Sequence, residues 1–342
     1  MTKPKIAVAG AGLIGRRHIE LVAESADCEL TAIVEPAESA VELAASLQVT
    51  RYTDLTKLID ESPVDGVILA TPNQLHYEQA LACIDANLPV LIEKPIAETV
   101  QQAQRLVARV EETGARVIVG HHRMHSSVMQ KAREIITSGV IGDIVAVQGA
   151  ALFYKPDDYF AAGPWRTKAG GGPILINMIH EVGNLRYLCG EITDVQAMPS
   201  NATRGFEVED TVGILLRFDN GAIGTFLLSD TAASCKSWEQ TARENLTYHH
   251  DSTENCYHIA GTRGSLSVPT MTLHCFEGKT EPSWWNPMLT TVDPSDVVDP
   301  LQRQLQHFCS VIRGEEEPIV GAADGCRNLQ ITEQIARFAN VT

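Results

Sequence analysis

The chain has 342 residues, 44% of them hydrophobic and 20% charged, and its 43 acidic against 27 basic residues give a formal net charge of −16. That balance argues against disorder, and against binding to phosphate backbones or anionic membranes. The length exceeds the roughly 250–300 residues that one core serves, so two domains are expected. No apolar stretch approaches the ~20 residues of a membrane-spanning helix. The eight cysteines lie scattered without any CxxC, so reduced thiols are expected. The opening segment runs directly into a strand pattern with no hydrophobic signal core, which predicts a cytoplasmic protein.

Lys5-Ile6-Ala7-Val8-Ala9 reads as a short buried strand, and it runs into Gly10-Ala11-Gly12-Leu13-Ile14-Gly15 at the start of an amphipathic helix. Strand, GxGxxG and helix in that order predict a dinucleotide site along Gly10, Gly12, Leu13, Ile14 and Gly15. Gly10 makes the tight turn, Gly12 admits a pyrophosphate, and Gly15 lets helix and strand approach. The helix N-terminus supplies free N–H groups for the phosphates. A second strand, Leu30–Val34, ends in Glu35, 20 residues after Gly15. A carboxylate there accepts ribose hydroxyls and repels a 2′-phosphate, so NAD is favoured over NADP, with Arg51 the one nearby residue able to reverse that preference.

Alternation continues with a helix over 37–48, a strand over 65–70, a helix over 75–86, a strand over 88–92, a helix over 99–113 and a strand over 116–120. Strands separated by helical patterns predict a doubly wound parallel sheet, whose ligands lie beyond the carboxyl ends of the strands. Two such ends carry polar residues: Thr71-Pro72-Asn73 with His76 beyond, and Glu93-Lys94-Pro95.

GAGLIG, TPNQLH and EKP at these separations resemble the Gfo/Idh/MocA oxidoreductases, the group of glucose–fructose oxidoreductase and inositol dehydrogenase. The resemblance implies that Lys94 is catalytic and Pro95 is cis. It also implies that Thr71, Asn73, His76, Glu93 and the Gly120-His121-His122-Arg123 segment surround the dinucleotide. Relatives commonly carry Asn where this chain has His122.

After residue 122 the pattern changes, giving an expected division into a Rossmann domain over 1–122 and an α+β domain over 123–342. A helix near 125–138 precedes strands near 143–154, 192–200, 208–218, 221–230, 256–260, 265–268 and 271–276, with helices near 300–313 and 322–340. Asp219-Asn220-Gly221 signals a hairpin, and strands in succession predict a large, mostly antiparallel open sheet. The resemblance implies that a second subunit covers that sheet in a homodimer or homotetramer. The polar segment 231–255 reads as a loop of the kind that forms a lid or subunit contact.

Gly170-Gly171-Gly172-Pro173 leads into a helix that is apolar nearly all round, yet Asn177, His180, Glu181 and Asn184 fall at helical spacing on one stripe. Such a stripe forms an internal network or lines a wet pocket, and the glycine-rich approach favours the pocket. The dehydrogenases it resembles usually carry Asp four residues before this histidine, where this chain has Ile176. Tyr154-Lys155 and Trp165-Arg166 flank the loop before the helix and are candidates to stack on a sugar-like ring. Trp284-Trp285 could do the same or form an interface. His121, His122 and His125 lack the carboxylate or cysteine that would make a convincing metal site, so none is expected.

Hydride transfer from a ring alcohol to nicotinamide needs a proton acceptor with a pKa near neutrality, which suits His180. The expectation is an NAD-dependent dehydrogenase acting on a sugar, cyclitol or related ring. His180 is its base, Lys94 its electrostatic partner and proton relay, and Asn177 its substrate anchor. Dihydrodiol dehydrogenation, an NAD-recycling glycosidase or lyase, and a non-enzymatic dinucleotide sensor are the alternatives.

Overall fold

A computed structural model describes residues 3–338 and divides the chain into two compact units. The first comprises the chain up to His122 together with Pro300–Gln330. Its sheet contains β1 (Lys5–Ala9), β2 (Glu29–Val34), β3 (Thr50–Tyr52), β4 (Gly66–Leu69), β5 (Val90–Ile92) and β6 (Val117–Val119). All pairs are parallel, in the order β3-β2-β1-β4-β5-β6. The order reverses between β1 and β4, the place where open sheets of this kind leave a crevice at their carboxyl edge. β1, β4, β5 and β6 are built almost wholly of buried Val, Ile, Leu and Ala, as strands covered on both faces must be. β3 and the helix Leu55–Glu61, which Asp54 caps, have no counterpart in the sequence reading. A three-residue, partly exposed strand carries too little periodicity to register.

The helix Pro300–Arg313 belongs to this first unit, whereas the sequence reading assigned everything after residue 122 to the second domain. The reason is packing. Leu305, Phe308, Cys309 and Val311 join Ile6, Ile19, Ile33 and Ile68 in one buried cluster. Gly66 opens β4 without a side chain, and a Cβ there would lie 2.6 Å from Ile312 Cδ1 and 3.0 Å from Phe308 Cζ. Arg116 completes the attachment by donating to the carbonyls of Val311 and Ile312.

The second unit comprises Arg123–Asp299 and the described residues from Ile331 to Phe338. Its strands are β7 (Ile144–Leu152), β8 (Ile192–Ser200), β9 (Thr211–Phe218), β10 (Ile223–Ser229), β11 (Tyr257–Gly261), β12 (Gly264–Val268), β13 (Thr272–Cys275) and β14 (Leu289–Val292). They form one sheet in the order β14-β13-β12-β11-β7-β10-β9-β8, antiparallel except between β7 and β10. The β9–β10 hairpin turns at Asp219-Asn220-Gly221, where Gly221 takes a φ of +87. Val212, Ile214, Leu216, Phe226 and Leu228 alternate into the core, and Leu215, Ile223 and Leu227 point to the open face. β14 is exposed along its whole length, so it has no alternation by which to find it.

Among the described residues no helix is long and apolar enough to cross a membrane. All eight cysteines are unpaired thiols. Phe308→Ala tests the helix assignment: it should destabilise the first unit by about 3–5 kcal/mol, read as a lower urea midpoint. An unchanged midpoint would show that this helix is dispensable to the core.

Candidate functional site

The glycine turn is dictated by contacts within the protein at two of its three glycines. Gly10 has a φ of +96, and a Cβ on it would lie 2.4 Å from the Ala70 carbonyl oxygen. One on Gly15 would lie 2.2 Å from the Gly10 carbonyl oxygen. Gly12 differs, because a Cβ there meets nothing within 4 Å. Its lack of a side chain serves no contact in the fold, as expected of a glycine kept clear for a phosphate. The helix Leu13–Glu24 starts there with no side-chain cap and no acidic residue in its first turn, and Leu13 stands exposed at its tip beside Ile14. The amides of that turn and the helix dipole favour an anion.

Glu35, at the end of β2, accepts hydrogen bonds from the N–H groups of Ala11 (2.9 Å) and Ala37 (3.1 Å). The carboxylate is thereby tied to the residue between Gly10 and Gly12. Arg51 donates to the carbonyls of Glu35, Pro36 and Ala37, which occupies its guanidinium on backbone.

At the end of β5 the Glu93 side chain is buried, and Lys94 is half-buried beside it. His18 Nε2 lies 2.8 Å from Glu93 Oε1, and the Lys94 N–H donates to Oε2 at 3.2 Å. Burial alone would push this carboxyl up. The His18 hydrogen bond, with the charges of His18, His122 and Lys94, outweighs it and holds the group below the usual carboxylate range. The Lys94–Pro95 bond is cis. His76 is buried one turn into the helix Asn73–Asp85 and bridges two strand-end segments, with Nδ1 2.8 Å from the Pro95 carbonyl and Nε2 2.9 Å from that of Thr71. Burial lowers its pKa, with the two carbonyls opposing. The Thr71 hydroxyl donates to Gln79 at 2.6 Å. Asn73 opens that helix, and His122 opens a short 3₁₀ turn over His122–His125. His121 Nε2 lies 3.2 Å from the Asn328 amide. Among the described residues no group of three or more His, Cys, Asp and Glu side chains is arranged to hold a metal ion.

In the second unit the expected helix is two helices in series, a π-helical turn over Ile174–Met178 and an α-helix over Ile179–Cys189. The wider turn breaks the α-helical spacing between Asn177 and the residues that follow, so the four polar side chains do not share one stripe. Asn177 is half-buried and accepts a 2.7 Å hydrogen bond from Lys155 Nζ. His180 is buried, with 8% exposure. Glu181 and Asn184 belong to an internal network, which corrects the expectation of a pocket lined by all four. Arg123 donates to Glu181 at 2.6 Å and to Glu239 at 2.6 Å, Tyr257 donates to the other oxygen of Glu181, and Asn184 donates to Tyr257 at 2.7 Å. Burial raises the Glu181 carboxyl and the Arg123 charge opposes it.

Tyr154 and Trp165 are exposed, and Arg166 is half-buried between them in sequence and the glycine loop. Trp284 and Trp285 are almost fully exposed and pack edge to face.

Residues 4–121 match the model of an oxidoreductase family with an NAD-binding Rossmann fold, Gfo/Idh/MocA, and residues 129–267 match the Gfo/Idh/MocA C-terminal domain. The chain belongs to the Gfo/Idh/MocA oxidoreductases. It is 29% identical to 1,5-anhydro-D-fructose reductase of Ensifer adhaerens over 288 residues, which cover 81% of this chain and 78% of that protein. It is 24% identical to scyllo-inositol 2-dehydrogenase (NAD+) of Bacillus subtilis, covering 96% of this chain and 91% of that one. Its fold is that of the WlbA dehydrogenase of Bordetella pertussis, solved with NADH and UDP-GlcNAcA. That likeness has a TM-score of 0.78 at 23% identity and covers 99% and 97% of the two chains.

Three elements of this Gfo/Idh/MocA chain escape a reading of its sequence. His18 is one, found only through its contact with Glu93, 75 residues away. Its signal is a histidine at a buried position of the glycine-motif helix. Glu209 is another: its Oε1 accepts the Ile174 N–H at 2.8 Å, and Gly172, with a φ of +81, leaves room for that carboxylate. The third is the segment 231–255, which holds a short helix, Trp238–Thr241, and buries Trp238 and Thr241 rather than being loop throughout.

Gly12→Ala should melt within about 0.5 kcal/mol of the parent yet bind dinucleotide at least about tenfold more weakly. Gly10→Ala and Gly15→Ala should lose folding stability first, which thermal melting separates from binding. His18→Ala should move acid unfolding to higher pH. The depressed Glu93 pKa stabilises the fold above the unfolded carboxyl value near 4.3, and that contribution is lost as pH falls through the folded value. Without His18 the folded value rises and the loss comes earlier, as circular dichroism against pH would show.

Proposed function

We propose that the protein is an NAD-dependent dehydrogenase that moves hydride between a secondary alcohol of a sugar, cyclitol or related polyhydroxylated ring and the nicotinamide. The observation that carries this reading is Lys94 at the carboxyl end of β5, in a family of oxidoreductases, with its backbone fixed by a buried ionised carboxylate. In this reading His180 takes the hydroxyl proton as hydride leaves the carbon. Lys94 stabilises the forming alkoxide and passes the proton on, and Asn177 orients a substrate hydroxyl through its amide, with its oxygen held by Lys155. Gly10, Gly12, Leu13, Ile14 and Gly15 cradle the pyrophosphate, with Thr71, Asn73, His76, Glu93 and His122 around the rest of the dinucleotide. Tyr154, Trp165 and Arg166 form the outer wall of the substrate site. The names of the two relatives, a reductase of an anhydro-sugar and a dehydrogenase of an inositol, support a ring substrate.

The dinucleotide domain would use NAD rather than NADP, because Glu35 presents a carboxylate where a 2′-phosphate would lie and Arg51 is occupied on three carbonyls. The protein would act in the cytoplasm as a homodimer or homotetramer joined through the open face of the second sheet.

A second reading is favoured by Ile176, where dehydrogenases of this family usually carry a carboxylate. In it the substrate would be oxidised only transiently, with no net change in the dinucleotide over a turnover. Net NADH release on turnover separates the two.

His180→Ala and Lys94→Ala should each lower turnover on an identified ring substrate by about 10²–10⁴-fold, followed by NADH absorbance. Near-normal turnover in either would remove that residue from the chemistry. Glu35→Ala should raise the affinity for NADP relative to NAD, read by titration of both dinucleotides.

A further inference from the structure

In a chain with 43 acidic and 27 basic residues, three well-shielded arginines are paired with carboxylates. Arg123 has Glu181 and Glu239, Arg186 has Glu191, and Arg204 has Asp230. Arg166 is held differently. Among the described residues no carboxylate forms an ion pair with it, and its Nε is buried with no hydrogen-bond acceptor. The guanidinium is nevertheless fixed. Its Cζ lies 3.9 Å from the centroid of the Tyr159 ring and 5.5 Å from that of Trp165, and Nη1 donates to the Tyr159 carbonyl. Gly163 lies beneath it, where a Cβ would come within 2.9 Å of Cζ.

An arginine clamped by rings and a carbonyl has already lost much of its conformational freedom, so pairing it with a ligand of opposite charge costs little further ordering. Its location relates it to the substrate groups. The Tyr159 ring also neighbours Lys155, whose Nζ lies 4.9 Å from the centroid, and Lys155 donates to Asn177. Arg166 and the lysine that holds the proposed substrate anchor therefore share one ring. Gly171 packs against the carbonyls of Trp165 and Arg166, 2.7 Å from each for a Cβ, which ties this loop to the start of the helix.

We propose that Arg166 recognises a carboxylate of the substrate, so that the ring substrate is an acid, a uronate or a cyclitol carboxylic acid, rather than a neutral sugar or cyclitol. The inference rests on the dehydrogenase reading above and narrows its substrate class. With Nε buried over Gly163 and Nη1 taken by the Tyr159 carbonyl, Nη2 is the guanidinium nitrogen left to make a charge-assisted hydrogen bond to a carboxylate. A monoanion fits better than a phosphate here, because Lys155 is committed to Asn177 and stands 3.9 Å from Asp230, leaving one positive charge for the ligand.

Matched pairs test this: D-glucose with D-glucuronate, D-galactose with D-galacturonate and myo-inositol with quinate. Each is titrated against the whole protein with saturating NAD, by thermal shift and calorimetry. At least one acid should bind ten times more tightly than its neutral partner, with a preference that shrinks as salt is raised. Arg166→Met should abolish that preference and Arg166→Lys should keep part of it, while the affinity for NAD and the melting temperature of each variant report an intact fold. The proposal is overturned if no pair favours the acid, if D-glucose 6-phosphate binds more tightly than every acid, or if the preference survives in Arg166→Met. NADH formation from a neutral sugar without any acid preference would remove this inference and keep the dehydrogenase reading. Acid-selective binding lost in Arg166→Met, with no NADH formed from any bound ligand, would do the reverse.

Discussion

A carboxylate with less than a tenth of its surface exposed has to be satisfied from within the protein, and at Glu93 the partners that satisfy it are the parts of the dinucleotide edge. One oxygen faces His18 on the helix that follows the glycine turn, and the other accepts the backbone N–H of Lys94. Gly120, after β6, has no side chain because a Cβ there would come within 2.9 Å of the same carboxyl group. Three neighbouring segments of the first unit therefore share one buried charge. A neutral side chain of similar size would fill the space but would not hold the His18 ring or the Lys94 amide. Lys94, the lysine proposed as catalytic, stands on that arrangement, with its backbone N–H bound to the carboxylate and the residue half-buried.

The second unit solves a similar problem with a larger set of charges. Arg123, Glu181 and Glu239 are compensated by one another and by Tyr257. Breaking one member of such a set leaves an uncompensated buried charge, so the set constrains where the helix Ile179–Cys189 can lie. His180 is covalently adjacent to Glu181 and inherits that constraint. The polar groups of this helix thus divide their work, Glu181 and Asn184 inward for position, Asn177 toward Lys155.

What could be read from the sequence was local. Gly10 to Gly15 sit between a strand and a helix within a few residues, and Gly10 and Gly15 have steric reasons that their spacing announces. Lys94 follows a run of buried strand residues, so its place at a carboxyl end needs no distant contact. The NAD-binding Rossmann fold, the mostly antiparallel second sheet and the family membership follow from signals of this kind. The π-turn did not, and the Glu209 carboxylate that accepts its first N–H lies 35 residues away in sequence. His18 was silent too, with its partner Glu93 75 residues away. The helix Pro300–Arg313 was visible as a helix, but its address was not, since an apolar face does not say which sheet it covers.

That address has a consequence for how the chain is made. The nucleotide-binding unit is not contiguous, because one part of its core comes from Leu305, Phe308, Cys309 and Val311, which leave the ribosome long after the first 122 residues. Until then the hydrophobic face that receives them is uncovered, and the intervening residues of the second unit must be synthesised first. Domains generally fold as units during synthesis, and exposed apolar surface invites aggregation. The nascent first unit thus passes through a stage with that face bare, and its core closes only after Val311 has been made.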